Sequence, residues 1–470
     1  MTKVEAKTAS LKDILLVKEK ALASQDKLNA LVSFYDDLES QYQTNTNTNS
    51  PLYQMPIVLK DNISTKGVKT TASSNILDNY IPTFDATVVT KLKAAGAIFI
   101  GKSSMDELGM GGTNLSAHTG PVYNPYDLTR IAGGSSGGSA AVVAAGIVPL
   151  AIGTDTGDSI RKPAAFCGIV GFKPTYGRIS RYGVIPYASS LDHVGYFTRN
   201  VQDAASALEV LAGRDDYDMT SSFLPVEQYS QMLQGDLQGK KIAILKNVVD
   251  VITNQDIIQQ FNDLTTKIKK QGAITVEVEI PKQLAQAMLV VYNVISNCEA
   301  SANHANLDGL RFGKQQAGNT VETVMINSRT KGLSFSTRQR LITGEFSLMG
   351  KNQTEIFQKA QKVRRLICME IENILKSYDV LIAPASGMIA PTIDEAKNQS
   401  LSTEELIVEN HMVIGNFTGY PSITLPLGFH QGLPLGVNIT GRPFKEGQLL
   451  DISQAIENIS GLKDIKKEVV

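Results

Sequence analysis

Apolar residues occur along this chain in two alternating patterns, short continuous runs and longer segments with helical spacing. This alternation is typical of α/β proteins. Residues 87–96 predict a helix that ends just before Gly96, and residues 139–155 predict an alanine-rich helix followed by a strand. Short apolar runs predict buried strands at 55–60, 97–102, 240–246, 380–386 and 421–429.

The remaining segments differ in length and polarity. Residues 10–40 show helical periodicity, and residues 253–375 predict a long, mainly helical middle. The polar stretch TNTNTNS at 44–50 predicts a loop, and the aperiodic segment 215–240 predicts a connection. No internal repeat is present, so we expect one continuous fold rather than an array of repeated units.

Composition narrows the class of protein. A chain of 470 residues with 42% apolar side chains can bury a large core. With 45 basic and 46 acidic side chains, the net charge of -1 gives no overall electrostatic preference for nucleic acid or an anionic membrane, so nucleic-acid contact would need a local patch or a partner. Three separated cysteines without a CxxC pair, a start that lacks a signal peptide, and no apolar run of membrane length favour a reduced, cytoplasmic protein.

Two short motifs suggest chemistry that their context disfavours. GAIFIGKS at 96–103 fits the P-loop pattern, but its four variable positions are apolar and predict a buried strand. GGSSG at 133–137 fits the nucleophile elbow of α/β-hydrolases, which requires an acid and then a histidine downstream. None of the downstream histidines has a distinctive setting; they are His193, His304, His411 and His430.

A third match is much longer. Residues 133–180 read GGSSGGSAAVVAAGIVPLAIGTDTGDSIRKPAAFCGIVGFKPTYGRIS, and an earlier strand, MPIVLK, ends at Lys60. Together they resemble the amidase signature family over nearly the whole chain. The resemblance implies an open, mixed β-sheet flanked by α-helices, built as one domain over 1–470. Its signature core would span about 55–215, and strands after the helical middle would return to the sheet.

The resemblance implies a Ser-cisSer-Lys triad for amide hydrolysis. Ser159 would be the nucleophile, Lys60 the base, and Ser135 the bridge, following a cis peptide after Gly134. A free lysine has a pKa of ~10.4 and is protonated, but burial at a strand end would lower its pKa. Two ordinary alternatives are a solvated Lys60 and a Ser159 that caps the helix after it.

The same family places backbone amides around the developing oxyanion, here those of Thr156, Gly157, Asp158 and Ser159. The family usually has Gly-Gly-Ser at the nucleophile, whereas this chain has Gly-Asp-Ser. A carboxylate at position 158 that pointed at the oxyanion would repel it. We therefore expect the side chain to point away from the oxyanion, or the activity to be reduced.

Four further segments resemble the glutaminase subunits of tRNA-dependent amidotransferases; they are 94–112, 124–139, 175–205 and 298–313. This resemblance implies hydrolysis of glutamine to glutamate and ammonia in a cytoplasmic heterotrimer completed by the B and C subunits of such an enzyme. The B protein would bind ATP, magnesium and most of the tRNA, and would convert mischarged Glu-tRNA(Gln) or Asp-tRNA(Asn). The chain itself would need no metal or cofactor.

The same resemblance implies residues that bind glutamine. Arg340 aligns with the arginine that holds the substrate carboxylate, which a guanidinium binds with two hydrogen bonds. Glu409 is the nearest acid to the family's ammonium-binding aspartate, and Tyr292 would line the pocket. Two other functions are compatible with the departures at Asp158 and Glu409, a free-standing amidase that acts on a small carboxamide and a non-catalytic interaction subunit.

Overall fold

The computed structural model of the chain describes residues 9–398 and 400–469. Eleven strands form one sheet in the order β1-β3-β2-β6-β8-β7-β12-β13-β11-β9-β10, and β4 and β5 form a separate hairpin. The strands are β1 Leu31–Phe34, β2 Pro56–Lys60, β3 Ile98–Ser103, β4 Tyr123–Asn124, β5 Asp127–Ile131, β6 Leu150–Asp155, β7 Val170–Lys173, β8 His193–Thr198, β9 Lys241–Leu245, β10 Ile274–Val278, β11 Val380–Pro384, β12 Ser422–His430 and β13 Leu433–Gly441.

Helices cover the sheet. They are α1 Leu11–Leu28, α2 Leu38–Thr44, α3 Thr87–Ala94, α4 Gly137–Ala144, α5 Arg161–Cys167, α6 Val201–Leu211, α7 Lys246–Val249, α8 Gln255–Lys270, α9 Lys282–Asn303, α10 Val321–Gly332, α11 Phe335–Leu348, α12 Lys359–Ser377, α13 Ile393–Asn398, α14 Thr403–Asn410, α15 Ile414–Phe417 and α16 Glu446–Ser460. A π-helical turn, Gln353–Gln358, precedes α12. Within the described residues, no helix is both long and apolar enough to cross a bilayer.

The sheet is mixed, which confirms the predicted fold class. Strand β2 runs parallel to both β3 and β6, whereas β8 runs antiparallel to β6 and β7. Strands β12 and β13 form an antiparallel pair, and β9 runs parallel to β10 and β11. Every residue of β2, β3, β6, β7 and β8 is buried. Such strands read as continuous apolar runs because both faces are covered.

Two predicted helical segments also contain strands. The periodicity over 10–40 is wrong as one helix, because α1 ends at Leu28 and Asn29 adopts a left-handed conformation with φ of 46°. Strand β1 then pairs with β3 at the edge of the sheet. In the segment 253–375, strand β10 lies at the opposite edge and is largely exposed, so it lacks the apolar run that marks the central strands.

The P-loop match is confirmed as coincidental. Residues Ile98–Ser103 form β3, with all six residues buried between β1 and β2. The glycine of this strand, Gly101, is needed for packing, because a β-carbon there would lie 2.6 Å from the carbonyl oxygen of Ser33 on β1. A backbone held in this way has no free loop with which to surround a phosphate.

Candidate active site

Lys60 is the last residue of β2 and is completely buried. Its ammonium nitrogen lies 2.8 Å from Ser135 Oγ, 2.7 Å from Ser136 Oγ and 2.9 Å from Thr154 Oγ1. Ser136 donates its own proton to the carbonyl of Thr154 at 2.9 Å. The Ser135 hydroxyl is therefore free to donate its proton to the lysine whenever the lysine is neutral.

Burial allows the amine of Lys60 to lose its proton near physiological pH. The loss of hydration lowers the pKa of its amine to about 7. The negative charges of Asp106, Asp155 and Asp192 act in the other direction and raise this pKa, but by less. No carboxylate forms an ion pair with Lys60 within the described chain. An amine with this pKa is partly unprotonated at neutral pH and can act as a general base.

Ser135 lies in the loop between β5 and α4, after a cis peptide bond that joins it to Gly134. The loop is tightly enclosed on one side. A β-carbon on Gly134 would collide with the carboxylate of Asp106 and would lie 2.6 Å from the amide nitrogen of Thr113. This close approach explains why the sequence places glycine immediately before the serine that contacts Lys60.

Ser159 lies between the end of β6 and the start of α5 and is buried. It does not cap the helix, because Ile160 holds the cap position and contributes no side-chain hydrogen bond. Among the described residues, Ser159 Oγ has no hydrogen-bond partner, and the amides of Gly157, Asp158 and Ser159 donate to no acceptor. A hydroxyl beside three unused amides is suited to attack a carbonyl and stabilise the resulting oxyanion.

A buried ion pair holds this loop in place. Arg161 bonds both carboxylate oxygens of Asp155, at 2.9 and 3.0 Å, and donates to the carbonyl of Gly157 at 2.7 Å. Asn416 accepts from Arg161 at 2.6 Å and donates to Asp155 at 2.9 Å. Burial alone would raise the pKa of Asp155, but the adjacent Arg161 holds that pKa below its usual value. The carbonyl of Gly157 therefore points toward the guanidinium, and the N–H of Asp158, in the same peptide plane, points the opposite way.

No histidine takes part in this arrangement within the described chain. His193 Nδ1 donates to the carbonyl of Leu191 at 2.7 Å, and His411 Nδ1 donates to that of Val408 at 2.6 Å. Burial lowers the pKa of His411 to about 3 and that of His304 to about 4. The hydroxyl of Ser135 contacts Lys60 instead, so the nucleophile-elbow interpretation with a Ser-His pair does not describe this site.

A cavity of about 310 Å³ opens beside the nucleophile loop. Arg340 on α11 and Tyr292 on α9 line it, together with Asp158. A β-carbon on Gly157 would lie 2.9 Å from Cζ of Tyr292, so the phenol rests directly on the loop that carries Ser159. Arg340 donates only a long, 3.4 Å hydrogen bond, to the hydroxyl of Tyr187, and forms no ion pair with a described residue.

Glu409 on α14 lines the same cavity, but its carboxylate has partners. Lys162 binds it at 2.6 Å, Ser386 donates to it at 2.8 Å, and the amide of Gly387 donates at 2.8 Å. The cavity thus brings together the three predicted substrate-binding residues, Arg340, Tyr292 and Glu409. Their roles remain predictions, as do those of the triad.

Several residues around Lys60 were not identified from the sequence. Ser136, Thr154 and Asn62 form the polar surroundings of the amine, and Asn62 Nδ2 donates to Thr154 Oγ1 at 3.1 Å. Asp192 accepts from the hydroxyl of Thr156 at 2.7 Å. The sequence could have indicated Ser136, because it lies in the GGSSGG motif beside Ser135. The remaining residues are far apart in the chain, and only the fold of the sheet brings them together. Across the described residues, no group of three or more histidine, cysteine or acidic side chains is arranged to hold a metal.

The mixed sheet and the arrangement of Lys60, Ser135 and Ser159 point to one class of protein. A profile of the family described as Amidase matches residues 14–450, and the chain belongs to that family. Its relatives include the A subunit of glutamyl-tRNA(Gln) amidotransferase from Geobacillus kaustophilus, to which it is 42% identical over 424 residues. That alignment covers 90% of this chain and 86% of the relative.

Solved structures give the same result. The chain resembles the crystal structure of the glutamyl-tRNA(Gln) amidotransferase A subunit from Thermotoga maritima with 34% identity and a TM-score of 0.81, over 97% of this chain and 94% of that one. It also resembles the peptide amidase of Stenotrophomonas maltophilia, with 26% identity and a TM-score of 0.80, over 96% and 93% of the two chains.

Proposed function

We propose that this chain is the glutamine-hydrolysing subunit of a tRNA-dependent amidotransferase. The observation that carries the proposal is the buried contact of 2.8 Å between Lys60 and Ser135, in a chain that also holds a buried Ser159 without a described hydrogen-bond partner. Relatives at 37–42% identity that bear the name of the glutamyl-tRNA(Gln) amidotransferase A subunit support the choice of substrate. The guanidinium of Arg340 lines the adjoining cavity, forms no ion pair with a described residue and suits the carboxylate of glutamine.

The proposed reaction begins at the contact between Lys60 and Ser135. Neutral Lys60 takes the proton of Ser135, and Ser135 takes that of Ser159 as its oxygen attacks the carboxamide carbon. The amides of residues 157–159 stabilise the negative oxygen of the tetrahedral intermediate. The protonated lysine returns its proton through Ser135 to the leaving nitrogen, which departs as ammonia. Water then cleaves the acyl-enzyme by the same route and releases glutamate.

The wider assembly is part of the proposal. The ammonia would pass to the B subunit, which would use ATP and magnesium to activate mischarged Glu-tRNA(Gln) or Asp-tRNA(Asn) for amidation. The C subunit would complete a cytoplasmic heterotrimer, and tRNA would bind mainly through the B subunit. The near-neutral charge of this chain supports such a division of labour, because it leaves no excess of basic residues for the phosphate backbone.

The test is release of glutamate from glutamine by this chain, alone and with the B and C subunits, ATP and mischarged tRNA. We expect serine-dependent turnover that rises when the partners are present and is lost in Ser159→Ala. Wild-type turnover in Ser159→Ala would refute the mechanism. Cleavage of simple amides without any response to partners would instead favour a free-standing amidase. Activity that appears only in Asp158→Gly would indicate a non-catalytic subunit.

A further inference from the structure

The cavity beside Ser159 contains four side chains with formal charges, two acids and two bases. The acids are Asp158 and Glu409, and the bases are Lys162 and Arg340. Their charges cancel when all four are ionised. Such a cavity suits a ligand that also carries one positive and one negative charge, provided that one acid and one base are left unpaired.

The contacts within the cavity show which of the two acids has no partner among the described residues. Glu409 is paired with Lys162 at 2.6 Å and accepts further hydrogen bonds from Ser386 and Gly387. Both of its oxygens are occupied, and both members of the ion pair are largely buried. A substrate ammonium could bind Glu409 only by displacing Lys162, which would leave a buried cation without its partner.

Asp158 is in the opposite situation. Among the described residues its carboxylate accepts no hydrogen bond and forms no ion pair, since Lys162 is committed to Glu409. Burial raises the pKa of Asp158 to about 6, with the charge of Lys162 acting in the other direction. The carboxylate is therefore mostly ionised at pH 7, by roughly ten to one.

The unpaired base is Arg340. Its guanidinium lines the same cavity as the carboxylate of Asp158 and the phenol of Tyr292, which rests on Gly157. A glutamine whose carboxamide reaches Ser159 has its α-carbon only two methylenes away. Its carboxylate and ammonium therefore fall within the same cavity as Arg340 and Asp158.

We propose that Asp158, rather than Glu409, binds the α-ammonium of the substrate and makes this site selective for zwitterionic amino acids that carry a side-chain carboxamide. Arg340 binds the α-carboxylate of the same ligand, and Glu409 positions Lys162 and the 386–387 turn. The inference rests on the proposed function for the identity of the substrate. It assigns a purpose to the aspartate that replaces the family's usual glycine before the nucleophile.

The test compares L-glutamine with glutaramate, the same molecule with hydrogen in place of the α-amino group. Binding of both ligands to the full chain is measured by calorimetry in the Ser159→Ala background, so that no turnover is needed. We expect glutamine to bind at least tenfold more tightly than glutaramate. Adding Asp158→Asn, which keeps the shape of the side chain, should bring this ratio close to one.

Two further variants make the outcome decisive. Glu409→Gln should weaken the binding of both ligands together and keep their ratio, because it disturbs Lys162 rather than the ammonium. Asp26→Asn, the same substitution on an exposed residue of α1, should change neither. A ratio that survives Asp158→Asn, or that disappears in Glu409→Gln, would overturn the assignment, and so would equal binding of the two ligands by the Ser159→Ala parent.

This experiment separates the inference from the function on which it rests. If glutamate release fails in every mixture but the binding ratio still depends on Asp158, the proposed hydrolysis is wrong and the ligand assignment stands. If glutamine is hydrolysed in a Ser159-dependent reaction but the ratio ignores Asp158, the function stands and the assignment is wrong.

Discussion

The role of Lys60 leads to a prediction about pH that can be tested on the chain alone. Ser159 should react with a fluorophosphonate probe at a rate that follows the unprotonated fraction of Lys60. At pH 7 this fraction is about one half for a pKa of about 7. It would be roughly one in 2,500 for an ordinary lysine with a pKa of ~10.4. The burial of this one side chain therefore changes the supply of base by about a thousandfold.

The direction of the pH dependence follows from the protonation state of Lys60. Protonated Lys60 cannot accept the proton of Ser135, so the labelling rate should rise with pH, reach half of its maximum near pH 7 and level off above pH 8. Lys60→Arg keeps the positive charge at every pH of interest and removes the base. We expect it to lower the rate by about 10²–10⁴-fold, the usual contribution of general base catalysis, and to remove the rise.

The assay is the second-order rate of probe incorporation between pH 5.5 and 9, with thermal unfolding to verify that each variant is folded. Lys69→Arg, the same substitution on a surface lysine that pairs with Asp78 at 2.5 Å, serves as the matched control and should keep the wild-type profile. A wild-type rate that is flat through pH 6–8, or a Lys60→Arg variant that labels as fast as the wild type, would refute the reasoning.

Three other predictions concern residues around the site. Arg161→Met leaves the carboxylate of Asp155 buried without its ion-pair partner. We therefore expect the free energy of unfolding, measured by urea denaturation, to fall by about 3–5 kcal/mol. A loss below about 1 kcal/mol would contradict the conclusion that this ion pair holds the loop in place. Glu107 accepts hydrogen bonds from the amide of Ser334 at 3.0 Å and the hydroxyl of Thr337 at 2.6 Å, at the start of the helix that bears Arg340. Glu107→Gln should cost about 1–3 kcal/mol of stability and also weaken glutamine binding; unchanged binding would show that this cap does not position α11. His411 is neutral in the fold, where its pKa is about 3, but takes up a proton near pH 6.5 when unfolded, so stability should fall as the pH drops below 6.5. His411→Asn should reduce that slope between pH 6 and 4 by up to about 1.4 kcal/mol per pH unit, and identical slopes would argue against it.

Local sequence patterns were enough to predict several features of the fold. The runs at 55–60 and 97–102 are strands within one residue of their predicted ends, because strands buried on both faces must be continuously apolar. The long motif at 133–180 identified the family and singled out Ser135 and Ser159. The edge strand β10 was not predicted, because a strand exposed to solvent has no continuous apolar run.

The way in which the candidate groups meet depends on contacts between distant segments of the chain. The amine of Lys60 contacts hydroxyls that are 75, 76 and 94 residues away in the chain, and burial by the sheet around it is what lowers its pKa. Likewise, the family resemblance pointed to Glu409 as the acid nearest to the ammonium-binding aspartate, whereas the fold pairs Glu409 with Lys162 from 247 residues away and leaves Asp158 unpaired among the described residues. The physical reason is the same in both cases. The charge state of a side chain and its availability for binding depend on hydration and on neighbours from distant segments, and local sequence specifies neither.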